Sequence, residues 1–139
     1  MNETEAKQAG YERFIPLVGR VLLALIFLTS GVIKLGYWDQ TAGYMASKGF
    51  PLIPFFLAAA AFIEITGALS LILGYRARLG AVLLIVFLIP TTLIFHDFWT
   101  QQGMAQQISL LTFLKNFAVM GGLLLVTVYG SGPLSLDSH

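Results

Sequence analysis

Five polar residues of the kinds that bind ligands or form ion pairs lie within stretches otherwise made largely of Leu, Ile, Val, Ala and Phe. They are Arg20, Lys34, Glu64, Lys115 and Asn116. Charged side chains inside the hydrocarbon layer of a membrane are costly, so they usually face a bundle interior, where they pair or line a path. We therefore expect these residues either to bind a ligand or to hold helices together.

Glu64 is the most informative of them, because it lies near the centre of its apolar stretch with no short route to water. An unpaired carboxylate at that depth would be protonated or excluded from the membrane. By depth alone, Arg20 or Lys115 could reach it, so we predict a structural ion pair between Glu64 and one of these two cations. Such a pair can specify how helices pack without doing any chemistry.

A second group of polar residues is predicted to form a column from one membrane surface to its middle. Lys34 and His96 would lie near the surface, and Glu64 and Asn116 at mid-depth. We predict that these four residues bind an amphipathic ligand. A quinone would fit because its carbonyls accept hydrogen bonds from Lys, His or Asn, and a lipid headgroup would fit as well. The alternative is that Lys34 and His96 only anchor helix ends at the interface.

Several other chemistries are disfavoured by the residue types present. No cluster offers the three or four ligands of a metal site, and only His96 is placed to serve as an axial haem ligand. No Ser–His–acid set with suitable spacing is evident, so no catalytic residue is assigned. The chain contains no cysteine and therefore cannot run thiol exchange by itself. The net charge of +1, without a basic patch, argues against a nucleic-acid partner.

Four long apolar stretches must position these residues. They cover residues 14–35, 52–73, 79–98 and 108–128, and each is near the roughly 20 residues that a membrane-spanning helix needs. The composition agrees, with 57% hydrophobic and 11% charged residues. We predict one all-α domain over residues 1–139, an integral-membrane antiparallel four-helix bundle whose outer face contacts membrane lipid.

The connections between these stretches carry further signals. In the loop at 37–50, Trp38, Ala42 and Met45 recur at helical spacing, which predicts a short helix at the membrane surface. With Tyr44 and Phe50, Trp38 could form an apolar lid over a pocket bounded by Lys34, His96 and Trp99.

Lys and Arg flank mainly one side of the membrane. They are Lys7, Arg13, Arg76 and Arg78. Cytoplasmic loops carry an excess of Lys and Arg, so this distribution predicts that both termini are cytoplasmic. The first span is too long for a cleaved signal peptide and more spans follow it, so we expect it to be retained.

Five motifs occur in order along nearly the whole chain. They are RVLLALIFLTSGVIKL from Arg20, YMASKG from Tyr44, EITGALSLILG from Glu64, HDFW from His96 and LKNFAVMGG from Leu114. Together they resemble the DoxX family of small four-helix membrane proteins, and the SLD sequence at 135–137 is similar to the tail of its short bacterial members. The resemblance implies a multi-pass protein of a bacterial inner membrane.

The resemblance also implies a function. The namesake relatives of the DoxX family are subunits of a thiosulfate:quinone oxidoreductase, and others belong to membrane complexes that handle thiol and oxidative stress. We therefore expect a quinone- or lipid-contacting subunit of a redox or envelope-stress system, with a membrane redox partner subunit. Without cysteine, stand-alone thiosulfate chemistry should not be transferred to this chain. Two alternatives stay open. The protein could bind or transport a small amphipathic molecule without catalysis, or it could be a structural membrane partner. A homodimer is compatible with each of these functions.

Overall fold

The computed structural model describes residues 2–137 and is helical throughout, with no strand among those residues. Its helices are α1 (Glu3–Gly36), α2 (Trp38–Ser47), α3 (Ile53–Leu73), α4 (Ala77–Phe95) and α5 (Gly103–Tyr129), with a 3-10 turn at Phe98–Thr100. Four helical segments are long and apolar enough to cross a membrane, and they overlap the four predicted stretches. The predicted all-α membrane bundle is therefore confirmed, and α2 is the short helix predicted in the 37–50 loop.

Helix α1 starts well before its apolar stretch because the polar N-terminal segment carries its own start signal. The Asn2 side chain accepts a hydrogen bond from the Glu5 backbone N–H at 2.9 Å, and the Glu5 carboxylate accepts one from the Asn2 N–H at 3.0 Å. This reciprocal pair is a capping box. The resulting 34-residue helix is longer than the hydrocarbon core is thick, roughly 30 Å, so its first turns extend beyond the membrane.

The helices pack in the order α1, α3, α4, α5, and α1 meets α5 at few positions. Glycines allow the closest approaches. A Cβ on Gly31 of α1 would lie 2.6 Å from Ile65 Cγ1 of α3, and one on Gly67 of α3 would lie 2.6 Å from Leu84 Cγ of α4. Small residues let backbones approach in membranes, where packing rather than the hydrophobic effect holds helices together.

The two halves of the bundle differ in the polarity of their buried residues. We call the end that carries the chain beyond α5 the tail end, and the opposite one, covered by α2, the α2 end. The largest apolar core fills the tail half, with Leu71, Leu84 and Leu123 fully buried. The polar residues predicted to bind a ligand lie in the other half.

The chain after α5 folds back across the tail end. The backbone N–H groups of Leu136 and Asp137 donate to the carbonyls of Leu73 and Gly74, at 3.1 and 2.7 Å. The Asp137 carboxylate then accepts hydrogen bonds from the Ala77 N–H, at 3.0 Å, and from the Arg76 N–H. Asp137 therefore caps the start of α4, where free N–H groups favour a negative charge.

Candidate functional site

A cavity of about 230 Å³ lies inside the α2 half of the bundle. It is lined by Lys34, Glu64, His96 and Asn116, so the structure brings together the four residues predicted to bind a ligand. Most of the other lining residues are apolar, among them Phe27, Leu88 and Val119, and Ser30 and Thr91 add hydroxyl groups. Ligand binding itself stays a prediction.

An ion pair spans this cavity. Lys34 Nζ lies 2.5 Å from Glu64 Oε1, and it also donates a hydrogen bond to Ser30 Oγ at 2.8 Å. The Glu64 contact is an ion pair by distance, because Oε1 receives no hydrogen bond of good geometry within residues 2–137. Glu64 is only 2% exposed whereas the Lys34 side chain is 20% exposed, so the carboxylate depends on the lysine for its charge partner.

The predicted pairing of Glu64 with Arg20 or Lys115 is wrong. The Arg20 guanidinium lies toward the tail end, where it donates to the carbonyls of Leu71, Pro133 and Leu134 at 3.1, 3.2 and 2.9 Å. Leu71 is seven residues from Glu64, about 10 Å along α3, so Arg20 is held too far away. Lys115 is exposed on α5.

Close packing of α1 on α3 explains why Lys34 reaches Glu64 instead. At Gly31 the two helices approach so closely that a Cβ would lie 3.3 Å from the Ala61 carbonyl oxygen. Lys34 lies about one turn further along α1, and its side chain turns back toward Ser30 and so toward the level of Glu64. The sequence contains a signal for this direction, because Ser30 and Lys34 have i, i+4 spacing. The depth of the Cα atoms alone favours Arg20 or Lys115 instead.

Asn116 is held by a hydrogen bond from one of its amide N–H groups. Its Nδ2 donates to Thr92 Oγ1 of α4 at 3.0 Å, and Thr92 is fully buried. A carboxamide has two N–H donors and an acceptor oxygen. The second N–H and the oxygen therefore stay available to a molecule in the cavity.

Helix α2 covers the end of α4 beside His96. Tyr44 Oη donates to the Phe95 carbonyl at 3.1 Å, and Lys48 Nζ lies 2.9 Å from Asp97 Oδ1. The hydrogen bond to Asp97 raises the pKa of the partly exposed Lys48 ammonium. These contacts tie the two loops of the α2 end together above the site.

A second cavity of about 200 Å³ lies beneath α2. Tyr44 and Met45 contribute to its lining, and it shares Lys34 and His96 with the first cavity. These two side chains therefore lie between a pocket in the bundle and one under the surface helix.

The predicted aromatic lid is only partly present. Phe50 stacks on Phe95 with ring centroids 5.8 Å apart, beside Tyr44. Trp38 and Trp99 line neither of these two cavities. Trp99 instead packs against Phe98 and Phe113, at 5.3 and 5.9 Å between centroids.

The candidate site is a cavity with a mostly apolar lining and a few side chains that can donate hydrogen bonds. It offers the ammonium of Lys34, the amide of Asn116 and the imidazole of His96, with Glu64 as the fixed counter-charge. Within residues 2–137, no three His, Cys, Asp or Glu residues are grouped to hold a metal ion. Such an arrangement can hold a neutral head that accepts hydrogen bonds.

Comparison with known proteins settles the family. The DoxX family profile matches residues 15–97, more than half of the chain. This chain belongs to the DoxX family. The matched segment contains Lys34, Glu64 and His96, whereas Asn116 lies beyond it.

Two inner membrane proteins of Escherichia coli are similar over almost the full length. YphA is 35% identical over 87% of this chain and 86% of its own length. YqjF is 31% identical over 87% of this chain and 88% of its own. The Surfeit locus protein 4 homolog of Drosophila melanogaster is 27% identical over 92% of this chain but only 42% of its own length. No solved structure matches. This DoxX-family chain is thus a multi-pass inner-membrane protein.

Proposed function

We propose that this DoxX-family protein binds a small amphipathic molecule of the membrane, with a quinone as the leading candidate, as a subunit of a redox or envelope-stress system. The observation that carries the proposal is the cavity lined by Lys34, Glu64, His96 and Asn116. A bundle whose polar residues only locked helices together would have those residues in mutual contact and no space between them.

The cavity suits the head of such a molecule. Its volume of about 230 Å³ lies below the range of roughly 300–1,000 Å³ that is usual for pockets enclosing a whole small-molecule ligand. A single polar ring would fit inside, while an attached apolar chain would lie outside the cavity.

The charge of the site favours a neutral head over an anionic one. Glu64 already neutralises Lys34, and the ammonium donates a hydrogen bond to Ser30 Oγ. A phosphate would add a negative charge that the paired lysine does not offset, and uncompensated charge is costly in a dry interior. A quinone carbonyl needs only hydrogen bonds, which a further N–H of Lys34 and the amide of Asn116 can donate.

Within a redox system, the protein would hold the quinone head while a partner subunit supplies the electrons. Lys34, Glu64 and His96 are the lining groups that can exchange protons with a carbonyl that is being reduced. A non-redox role in binding or transport is the second candidate function, and it is favoured by the same cavity because nothing in its lining requires electron transfer.

Binding in lipid nanodiscs tests the proposal. We expect a short-chain quinone to bind saturably and to raise the melting temperature, and Asn116→Leu to weaken that binding several-fold, since a lost hydrogen bond is worth about 1 kcal/mol. Thr66→Val is the matched control, because the Thr66 hydroxyl bonds its own helix at Phe62 O, 2.6 Å away, and lines neither described cavity. No saturable binding, or equal affinity in Asn116→Leu, would contradict the proposal.

A parallel titration with phosphatidylglycerol separates the two candidate functions. Saturable binding of the lipid without binding of the quinone would favour a non-redox role. Quinone binding followed by a change in quinone absorbance, on addition of membranes and a reductant, would favour the redox role.

A further inference from the structure

Helix α1 packs closely against the chain from α5 onward at two glycines of the tail half. A Cβ on Gly122 of α5 would lie 2.9 Å from Leu23 Cδ2 of α1, and a Cβ on Gly132 would lie 3.1 Å from Pro16. Toward the α2 end, the cavity has lining residues on both of these helices. There α1 contributes Ile26 to the cavity lining, and α5 contributes Asn116.

Ile26 lies both at the cavity and at the outer surface of the protein. Its side chain lines the cavity and yet is 52% exposed. It also lines an open groove of about 530 Å³ on the outer face of α1, together with Leu25 and Ile33. Ser30 and Lys34 line both the cavity and the groove. The cavity and the groove therefore meet along one face of α1.

Between α1 and α3, and between α3 and α4, the helices are closely packed. At Gly31 and at Gly67 the neighbouring helix pairs approach too closely to admit even a methyl group without displacement. Above the site, the ion pair of Lys48 with Asp97 holds the loops together. The opening at Ile26 faces lipid, because it lies midway along a membrane-spanning helix.

We infer that the ligand enters sideways from the membrane between α1 and α5, with its polar head in the cavity and its apolar chain in the groove on α1. This rests on the proposed function. It assigns the ligand class, namely a bilayer-resident molecule with a small head that accepts hydrogen bonds and one flexible apolar chain. The opening at Ile26 is then the entrance, and the side chain there controls access.

Single-cysteine variants test the entrance, because the chain itself has no cysteine. In detergent micelles at alkaline pH, where water reaches the apolar face and the thiol can ionise, Ile26→Cys should react with N-ethylmaleimide, and a saturating short-chain quinone should slow that reaction at least fivefold. Leu22→Cys is the matched control, because Leu22 is one turn away on α1, is 64% exposed and lines neither cavity nor groove. The labelling rate of this control should not change when the quinone is added.

A bulky label provides a second measurement on the same two variants. Pyrene maleimide attached to the Ile26→Cys variant should weaken quinone binding at least tenfold, because the label would fill the entrance. The same label on the Leu22→Cys variant should leave quinone binding unchanged.

The outcomes separate the two claims. Suppose that the quinone binds and that Asn116→Leu weakens its binding, but that the quinone does not protect the thiol of Ile26→Cys and the pyrene label there does not weaken binding. Lateral entry is then overturned, while the proposed function stands. If unlabelled protein binds no quinone saturably, the proposed function falls and this inference falls with it. The protection measurement needs no bulky label, so it decides the question even where the pyrene adduct unfolds the protein.

Discussion

At the scale of single residues, the charged group of a long side chain lies at a different depth in the membrane from the Cα of the same residue. Lys34 lies near the α2 end of α1, yet its ammonium contacts Glu64 from the middle of α3. Arg20, whose depth made it the expected partner, serves instead as a donor to three carbonyls at the tail end. A long cationic side chain reaches several ångströms along the helix, so the pairing follows the direction of the side chain.

A double-mutant cycle tests the pairing. Lys34→Met should lower the free energy of unfolding by about 3–5 kcal/mol, because it leaves the buried Glu64 without its counter-charge. Glu64→Leu should cost less, since the partly exposed lysine can turn away. The double variant Lys34→Met/Glu64→Leu should cost clearly less than the sum of the single variants, as measured by denaturation in detergent.

Arg20→Met combined with Glu64→Leu is the control cycle. Because Arg20 and Glu64 share no partner among the described contacts, their effects should add to within about 0.5 kcal/mol. Strong coupling between Arg20 and Glu64, together with additive effects of Lys34 and Glu64, would contradict the Lys34–Glu64 pair. It would support the Arg20–Glu64 pair expected from depth.

At the scale of helices, close packing depends on glycines that face another helix. Gly67→Ala should lower the free energy of unfolding by about 1–3 kcal/mol, because its Cβ would lie 2.6 Å from Leu84 Cγ and would push α3 from α4. Gly121→Ala in α5 is the matched control, since a Cβ there meets nothing within 4 Å. It should leave stability unchanged or raise it slightly. Equal effects of the two substitutions would show that α3 and α4 are not packed as described.

The start of α4 depends on a residue distant in sequence. Arg76 stands before α4 with positive φ and no capping side chain of its own, and Asp137 supplies the missing acceptors. Asp137→Ala should therefore lower the free energy of unfolding by about 1–2 kcal/mol, as the loss of a helix cap does. Asp39→Ala, in the exposed first turn of α2, is the control and should have little effect. If both variants melt alike, the tail does not stabilise α4.

At the scale of the whole molecule, the orientation in the membrane stays a prediction. The structure puts Arg76 and Arg78 beside the start of α4 at the tail end, on the same side as the N-terminal segment with Lys7 and Arg13. The positive-inside rule therefore orients the tail end toward the cytoplasm. Reporter fusions after His139 should report the cytoplasm, and fusions at Gly103 the opposite compartment. Equal signals from the two fusions, or the reverse assignment, would contradict the orientation.

Several features of this protein could be predicted from the sequence alone. Hydropathy over windows of about 20 residues is a local property, and in a membrane the backbone must satisfy its own hydrogen bonds, so four apolar stretches predict four helices. The DoxX motifs could also be recognised in the sequence. The cost of exposing polar or charged groups to lipid indicated that Lys34, Glu64 and Asn116 face the bundle interior.

Only the tertiary structure decided which of these residues meet. The partner of Glu64 depends on how closely α1 approaches α3 at Gly31 and on the direction of the Lys34 side chain, and neither follows from spacing along one helix. The cap from Asp137 joins residues 60 positions apart. The position of Ile26, which lines the cavity and is half exposed, depends on how α1 lies beside the other helices. Each of these features is a relation between elements, set by packing that acts only after the helices have formed.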